Sequence, residues 1–241
     1  SRTCRFMLTE EAHHMFVGES GVGRIVQRTC ELMKEHNTDD VRAYGGIDLK
    51  TLQKYLNFHF SVSCDLFGQE QSTNAANYYN MGLKGRFNEK GIDDDHQLYD
   101  TAYSVMEVSG DTISMNEVPE LNSVNERLRD DYIDDSKLGV RRWNRTIEDA
   151  GIDFRFSLPH RAFHRQIGQF ASIEADPQGN LISMEEWEQG KNEWLPNQED
   201  QGFVQSLMQP VTEPGKIAGW IAPPRSRINR QPFEFEFVRF H

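Results

Sequence analysis

Cysteine is nearly absent from this chain. Cys4, Cys30 and Cys64 are its only three, widely spaced and without a Cys-x-x-Cys arrangement. That excludes a disulfide framework and a zinc ribbon and fits a reducing cytoplasm. Long apolar runs are missing too: no stretch approaches the roughly 20 residues that span a bilayer. The first residues also lack a signal-peptide pattern, so a soluble cytoplasmic protein is expected. Positive charge is short, with 26 Lys and Arg against 38 Asp and Glu and a formal net charge of -12. This balance excludes general nucleic-acid binding, which needs a basic footprint, and leaves any anionic ligand to find a local basic pocket. Apolar content is 37% and mean hydropathy -0.70, low for a self-sufficient globule, while 11% aromatic content argues against disorder. A core shared with further sequence accounts for both.

What is present is organised around Thr9-Glu10-Glu11-Ala12-His13-His14-Met15-Phe16, near the start of an apolar-periodic run from Cys4 to Met33. On one helix, Cys4, Met7, Glu11, His14, Gly18, Val22, Ile25, Thr29 and Leu32 recur at three- and four-residue steps and share a face. A carboxylate and an imidazole thus stand where the pattern calls for apolar side chains. Charges taken out of water survive when they are paired or bind a metal. Glu-x-x-His at i, i+3, pointing into a bundle, is the half-site of ferritin-like di-iron and di-manganese centres. The pair Glu10 and His13 has the same spacing, but its stripe continues through Val17, Arg24 and Arg28, which reads as a face turning to solvent. Glu11 with His14 is therefore preferred. The plainer reading makes Thr9 a helix cap with Glu10 and Glu11 in the first turn. Phe6, Met7 and Leu8 already continue the apolar run backwards, so the helix starts before Thr9.

Further along, Asp48 caps an expected helix through Leu49, Leu52, Leu56 and Phe60. The polar stretch Gln69 to Tyr79 lines a cavity or forms a wet helix face. Lys84 and Arg86 flank Gly85 in a basic loop suited to a phosphate, or to plain solvent. A hairpin is expected over Ser104 to Val118 around Ser109-Gly110-Asp111, and then a helix from Asn122 to Asn144, with Arg141, Arg142 and Arg145 compensating its dipole. Phe154-Arg155-Phe156 reads as a short strand. A second hairpin turns at Asp176 to Gly179, Ser183 caps a helix holding Trp187, another helix covers Phe203 to Met208, and Phe233, Phe235 and Phe237 alternate in a terminal strand. The fold expected is mainly α: part of a ferritin-like helical bundle with a mixed α+β C-terminal lobe. With no linker in view, 1–241 reads as a single unit, comprising a helical metal-bearing lobe over 1–100 and a mixed lobe over 101–241.

Several stretches carry a resemblance. The run Leu8 to Gly21, Thr51 to His59, Gly82-Leu83-Lys84-Gly85-Arg86-Phe87, Asn125 to Asp131, Phe154 to His160 and Asn192-Glu193-Trp194-Leu195-Pro196 resemble the family of oxygenase components of benzoyl-CoA 2,3-epoxidases. The likeness runs over essentially the whole chain, which looks like the C-terminal half of such proteins. It implies a di-iron monooxygenase that uses O2 to epoxidise the ring of benzoyl-CoA in aerobic aromatic degradation. Electrons would come from a separate flavin and iron–sulfur reductase. Glu11 and His14 would be iron ligands, the remaining ligands lying in the upstream half of the same protein, so that this chain alone does not turn over substrate. Coenzyme A carries several phosphate charges, and Lys84 and Arg86, with Asn74 as a polar contact, are the residues expected to grip it. Two other readings stay open: a non-catalytic helical protein that holds metal or partners, and an oxygenase for a related ester such as phenylacetyl-CoA.

Overall fold

The computed structural model describes residues 2–72, 74, 77, 102–224 and 234–240. It is mainly α with a small α+β part, as expected. Helix α1 covers Arg2–His36, so it does begin before Thr9. α2 covers Leu49–Asp65 and α3 covers Val124–Asp149, while α4 and α5 are the shorter helices Met184–Trp194 and Gln198–Leu207. Strands β1 (Ala102–Ser109) and β2 (Thr112–Pro119) pair antiparallel, as do β3 (Glu174–Ala175) and β4 (Leu181–Ile182). β5 (Lys216–Ala218) and β6 (Glu236–Val238) pair parallel. Among the described residues no helix is long and apolar enough to cross a membrane.

By its contacts the chain divides into two compact units. One compact unit comprises Ser1–Tyr55, Leu138–Ser157 and Pro196–His241, and the other Leu56–Lys137 and Leu158–Leu195. The chain leaves the first unit and returns to it twice.

In the first unit the C-terminal part of α1 is buried through Val26, Cys30 and Leu32, and Thr29 Oγ1 donates to the Ile47 carbonyl at 2.6 Å. Burial pushes the Cys30 thiol up to about 11, so it is an inert packing group. Asp48 caps α2 as expected, its Oδ1 accepting the Thr51 N–H at 2.8 Å. Asn197 and Asp200 form a capping box on α5, and the Asp200 carboxylate also accepts from Lys54 Nζ at 2.8 Å. The stripe of Arg24 and Arg28 does not turn to solvent. Arg28 is buried, donating Nε–H to the Gly219 carbonyl at 3.0 Å and lying 4.1 Å from the Phe237 ring centroid. Arg24 is half-buried, and its Nε–H donates to the Ala222 carbonyl at 2.7 Å. Phe154-Arg155-Phe156 is not a strand. The Asn144 side chain both accepts from Phe156 N (2.7 Å) and donates to Phe156 O (2.9 Å), so an amide supplies what a neighbouring strand would have.

In the second unit the first hairpin turns at Gly110 as expected. One core cluster gathers Phe60, Cys64 and Ile133 with Tyr132 and Leu158. A second gathers Ala162, Phe170 and Ala175 with Met106, Val108 and Leu181. Ser183 caps α4 in a reciprocal box with Glu186. His160 and His164 are not on a helix. His160 Nδ1 accepts the Ala162 N–H at 3.2 Å, and His164 stacks on Trp187 with ring centroids 5.6 Å apart. Beneath these lies a charged network that periodicity does not reveal. Arg165 pairs with Asp65 and, at 3.2 Å, with Glu70; Arg129 pairs with Glu126 and donates to the carbonyls of Cys64 (3.1 Å) and Gly68 (2.5 Å). Arg161 joins Glu126 to Asp130, which accepts from Tyr103 Oη. Burial drives the Arg129 pKa down and the Cys64 thiol up to about 11. Gly168, at φ 79°, completes the packing, because a Cβ there would stand 2.4 Å from Glu70 Oε2. Gly168→Ala therefore forces both a left-handed alanine and a displaced buried carboxylate. It should lower stability by about 2–4 kcal/mol, read as a shifted denaturant midpoint.

Candidate metal half-site

The Glu11–His14 pair stands on α1 one turn apart, because 3.6 residues per turn place i and i+3 side by side. His14 Nδ1 lies 3.7 Å from Glu11 Oε1, so the two side chains converge. The expectation that they point into a packed interior is not met within this chain. Glu11 is 69% and His14 61% exposed. The cause extends over the whole first half of α1, where Phe6, Met7, Leu8, Met15, Phe16 and Val17 are all exposed. At 100° per residue these six point to every side of the helix, the pattern of a helix covered all round by neighbours. Among the described residues those neighbours are not supplied.

The donor chemistry fits a hard or borderline metal. A carboxylate oxygen and an imidazole nitrogen suit iron or manganese better than a soft ion, and their approach allows one cation to meet both. Among the described residues no group of three or more His, Cys, Asp or Glu side chains is gathered closely enough to hold a metal ion. Within the described residues the pair therefore offers one carboxylate and one imidazole. For Glu10 and His13 no mutual contact is seen; the His13 ring lies 6.5 Å from that of His14, tilted. Of the residues expected to hold coenzyme A, Asn74 sits on an exposed bend in the other unit, and Lys84 and Arg86 lie outside the described residues.

A second feature of the first unit had been read only as dipole compensation. Residues of α1 and α3, with Pro224, line a cavity of about 700 Å³. Its walls include Phe16, Trp143 and three arginines, Arg24, Arg142 and Arg145. Trp143 Nε1–H donates to the Glu19 carbonyl at 3.2 Å, and Arg142 pairs with the Glu19 carboxylate. Gly23 faces the indole at ordinary van der Waals range: a Cβ there would lie 3.6 Å from Trp143 Cδ1. Gly18 and Gly21, by contrast, have nothing within 4 Å of where a Cβ would be. In sequence the clue was Gly18, Gly21 and Gly23 inside a helix, each about 1 kcal/mol worse than Ala there.

No protein-family model matches the chain. It is 58% identical, over its whole length, to a protein of Aromatoleum evansii described as benzoyl-CoA oxygenase component B, of which it spans 52%. The chain is thus related, from end to end, to about half the length of a benzoyl-CoA oxygenase component B.

Proposed function

We propose that the chain is the C-terminal half of the oxygenase component of a benzoyl-CoA epoxidase, and that Glu11 and His14 hold one edge of its two-iron centre. The observation that carries this reading is the 58% identity along the entire chain, joined to a convergent Glu-x-x-His pair on α1. Glu11 offers a carboxylate, and His14 offers an imidazole with Nδ1 already turned toward it. An iron pair held there would supply the redox chemistry of O2 activation, in which one oxygen atom enters the aromatic ring as an epoxide and the other leaves as water, with two protons and two electrons, the electrons from a separate flavin and iron–sulfur reductase. The missing ligands belong to the upstream half of the same protein. That half would also cover the exposed apolar residues of α1, making α1 one helix of a ferritin-like bundle. Water exclusion follows from the same cover: Phe6, Met7 and Met15, once packed, would keep solvent from the reacting ring. Lys84 and Arg86, with Asn74, are proposed contacts of the coenzyme. A cytoplasmic setting suits the free thiols Cys30 and Cys64.

The test is to supply the complete oxygenase with its reductase, O2 and two esters that differ by one methylene. Benzoyl-CoA is expected to be epoxidised with a kcat/KM about 10–200-fold above that for phenylacetyl-CoA, the discrimination one methylene affords in a fitted pocket. The reverse preference would favour the related oxygenase, and no O2 consumption with either ester would favour the non-catalytic reading.

A further inference from the structure

The cavity between α1 and α3 has the size of a ligand site, since such pockets run to roughly 300–1,000 Å³ with a few placed polar groups. Its walls set three arginines against two carboxylates, Glu19 and Asp149, a basic balance in a chain of net charge -12. The arginines are not equally occupied. Arg142 is held by Glu19 and Arg24 by the Ala222 carbonyl, whereas Arg145 is exposed on α3 and, among the described residues, makes no ion pair. An aromatic face, Trp143, is fixed beside them by its hydrogen bond to the Glu19 carbonyl. A tethered indole, a guanidinium without a carboxylate and a second half-buried guanidinium match a purine base carrying phosphates: the base stacks, and the phosphates meet planar forked donors.

At 100° per residue the cavity wall on α1, from Phe16 to Gln27, centres about half a turn round the helix from Glu11 and His14. Each i, i+3 step turns the helix surface back by about 60°. The row Gly18, Gly21, Arg24, Gln27 therefore winds from the face carrying Glu11 and His14 round to the cavity wall, where Arg24 and Gln27 stand. Its first two positions carry no side chain and meet nothing within 4 Å. From Glu11 to Arg24 the axial rise is 13 residues at 1.5 Å, about 20 Å, to which the turn round the helix adds a few Å more, a path of the order of an extended pantetheine arm and diphosphate.

We propose that this cavity seats the adenine nucleotide end of a coenzyme A thioester whose acyl group lies at the Glu11–His14 face, with Trp143 stacking the base and Arg145 and Arg24 binding phosphate. This rests on the proposed function in requiring a CoA ester as substrate. It competes with Lys84 and Arg86 for the part of phosphate grip.

The experiment uses the complete oxygenase and its reductase, with benzoyl-CoA and with benzoyl-pantetheine, the same thioester without the nucleotide. Arg145→Glu changes an exposed residue, so folding should survive; an unchanged melting midpoint confirms that. It is expected to raise KM for benzoyl-CoA at least about tenfold, the effect of one lost charge-assisted contact, while turnover of benzoyl-pantetheine stays as in the wild type. Direct titration with free coenzyme A should show the same loss of affinity, and Arg145→Lys should restore part of it. Unchanged KM and coenzyme A affinity in Arg145→Glu, with the loss appearing instead in Lys84→Ala and Arg86→Ala, would overturn the nucleotide seat and leave the proposed function standing. A wild-type protein that binds no coenzyme A yet epoxidises benzoyl-CoA would overturn the nucleotide seat alone, and no O2 consumption with either thioester would overturn both.

Discussion

Replacing Glu11 by Ala, or His14 by Ala, in the complete oxygenase is expected to lower oxidation of benzoyl-CoA by at least about 100-fold. The partners that merely orient metal ligands already act on the 10–100-fold scale, and removing a ligand itself exceeds that. Iron content should fall with activity, which separates metal loss from misfolding. Neither substitution has much to disturb within the chain, because both side chains are largely exposed and contact chiefly each other. Circular dichroism of the isolated chain should therefore be the same for wild type and both variants. A conservative Glu11→Asp retracts the carboxylate by one methylene while keeping its charge and is expected to retain intermediate iron. Glu10→Ala and His13→Ala, on the neighbouring stripe, should leave iron content near the wild-type value, and that contrast tests the choice of Glu11 and His14 over their neighbours.

The second large effect concerns the interior of the Leu56–Lys137 and Leu158–Leu195 unit. Arg129 is fully buried between Glu126 and the carbonyls of Cys64 and Gly68, with Glu70 3.9 Å away. Arg129→Ala strips these acceptors of a donor at once. Removing one partner of a buried pair typically destabilises by about 3–5 kcal/mol, because the remaining charge stays out of water. In a chain of this size that corresponds to a drop of about 10 °C in the melting midpoint. Arg129→Lys keeps the charge but loses the fork that reaches a carboxylate and two carbonyls together, so its loss should be smaller but still measurable. Differential scanning calorimetry of the three proteins would read both. A midpoint for Arg129→Ala within a degree of wild type would mean the network is not holding this unit together.

The elements that sequence revealed were those whose signals are local. Asp48 ahead of α2, Ser183 and Glu186 bracketing the first turn of α4, and Ser109-Gly110-Asp111 at the hairpin tip each act within a few residues of the backbone they satisfy. What stayed hidden depends on residues far apart in the chain. Arg165 finds Asp65 across 100 positions, and no spacing rule connects them. Phe154 to Phe156 alternates like a strand, yet its backbone groups are taken by Asn144, which periodicity had only marked as the end of a helix. The stripe through Arg24 and Arg28 failed for a related reason. Both guanidiniums end on carbonyls near the C-terminus, at Ala222 and Gly219, so charge on that stripe does not mean solvent.

The candidate site was legible as a pair but not as a pocket. Spacing alone placed Glu11 beside His14, and the structure brings them within 3.7 Å. Spacing alone also suggested an inward face, whereas that face and the apolar residues spread round it, Phe6, Met7, Leu8 and Phe16 among them, are all exposed. A single apolar stripe and apolar residues on several sides of a helix differ in how much cover they need, and the second needs more than the described residues provide. The cavity lined by Trp143 and Arg145 went unseen because its walls come from two helices more than 100 residues apart.

The central claim is that Glu11 and His14 are one edge of a two-iron centre completed by sequence beyond this chain. The most direct measurement is metal analysis after anaerobic loading with Fe(II) and desalting, made side by side on the complete oxygenase and on the 241-residue chain. The account predicts two irons per complete protein and fewer than one retained by the chain alone, with no epoxide formed by the latter. Two irons held by the isolated chain, or none held by the complete protein, would contradict it.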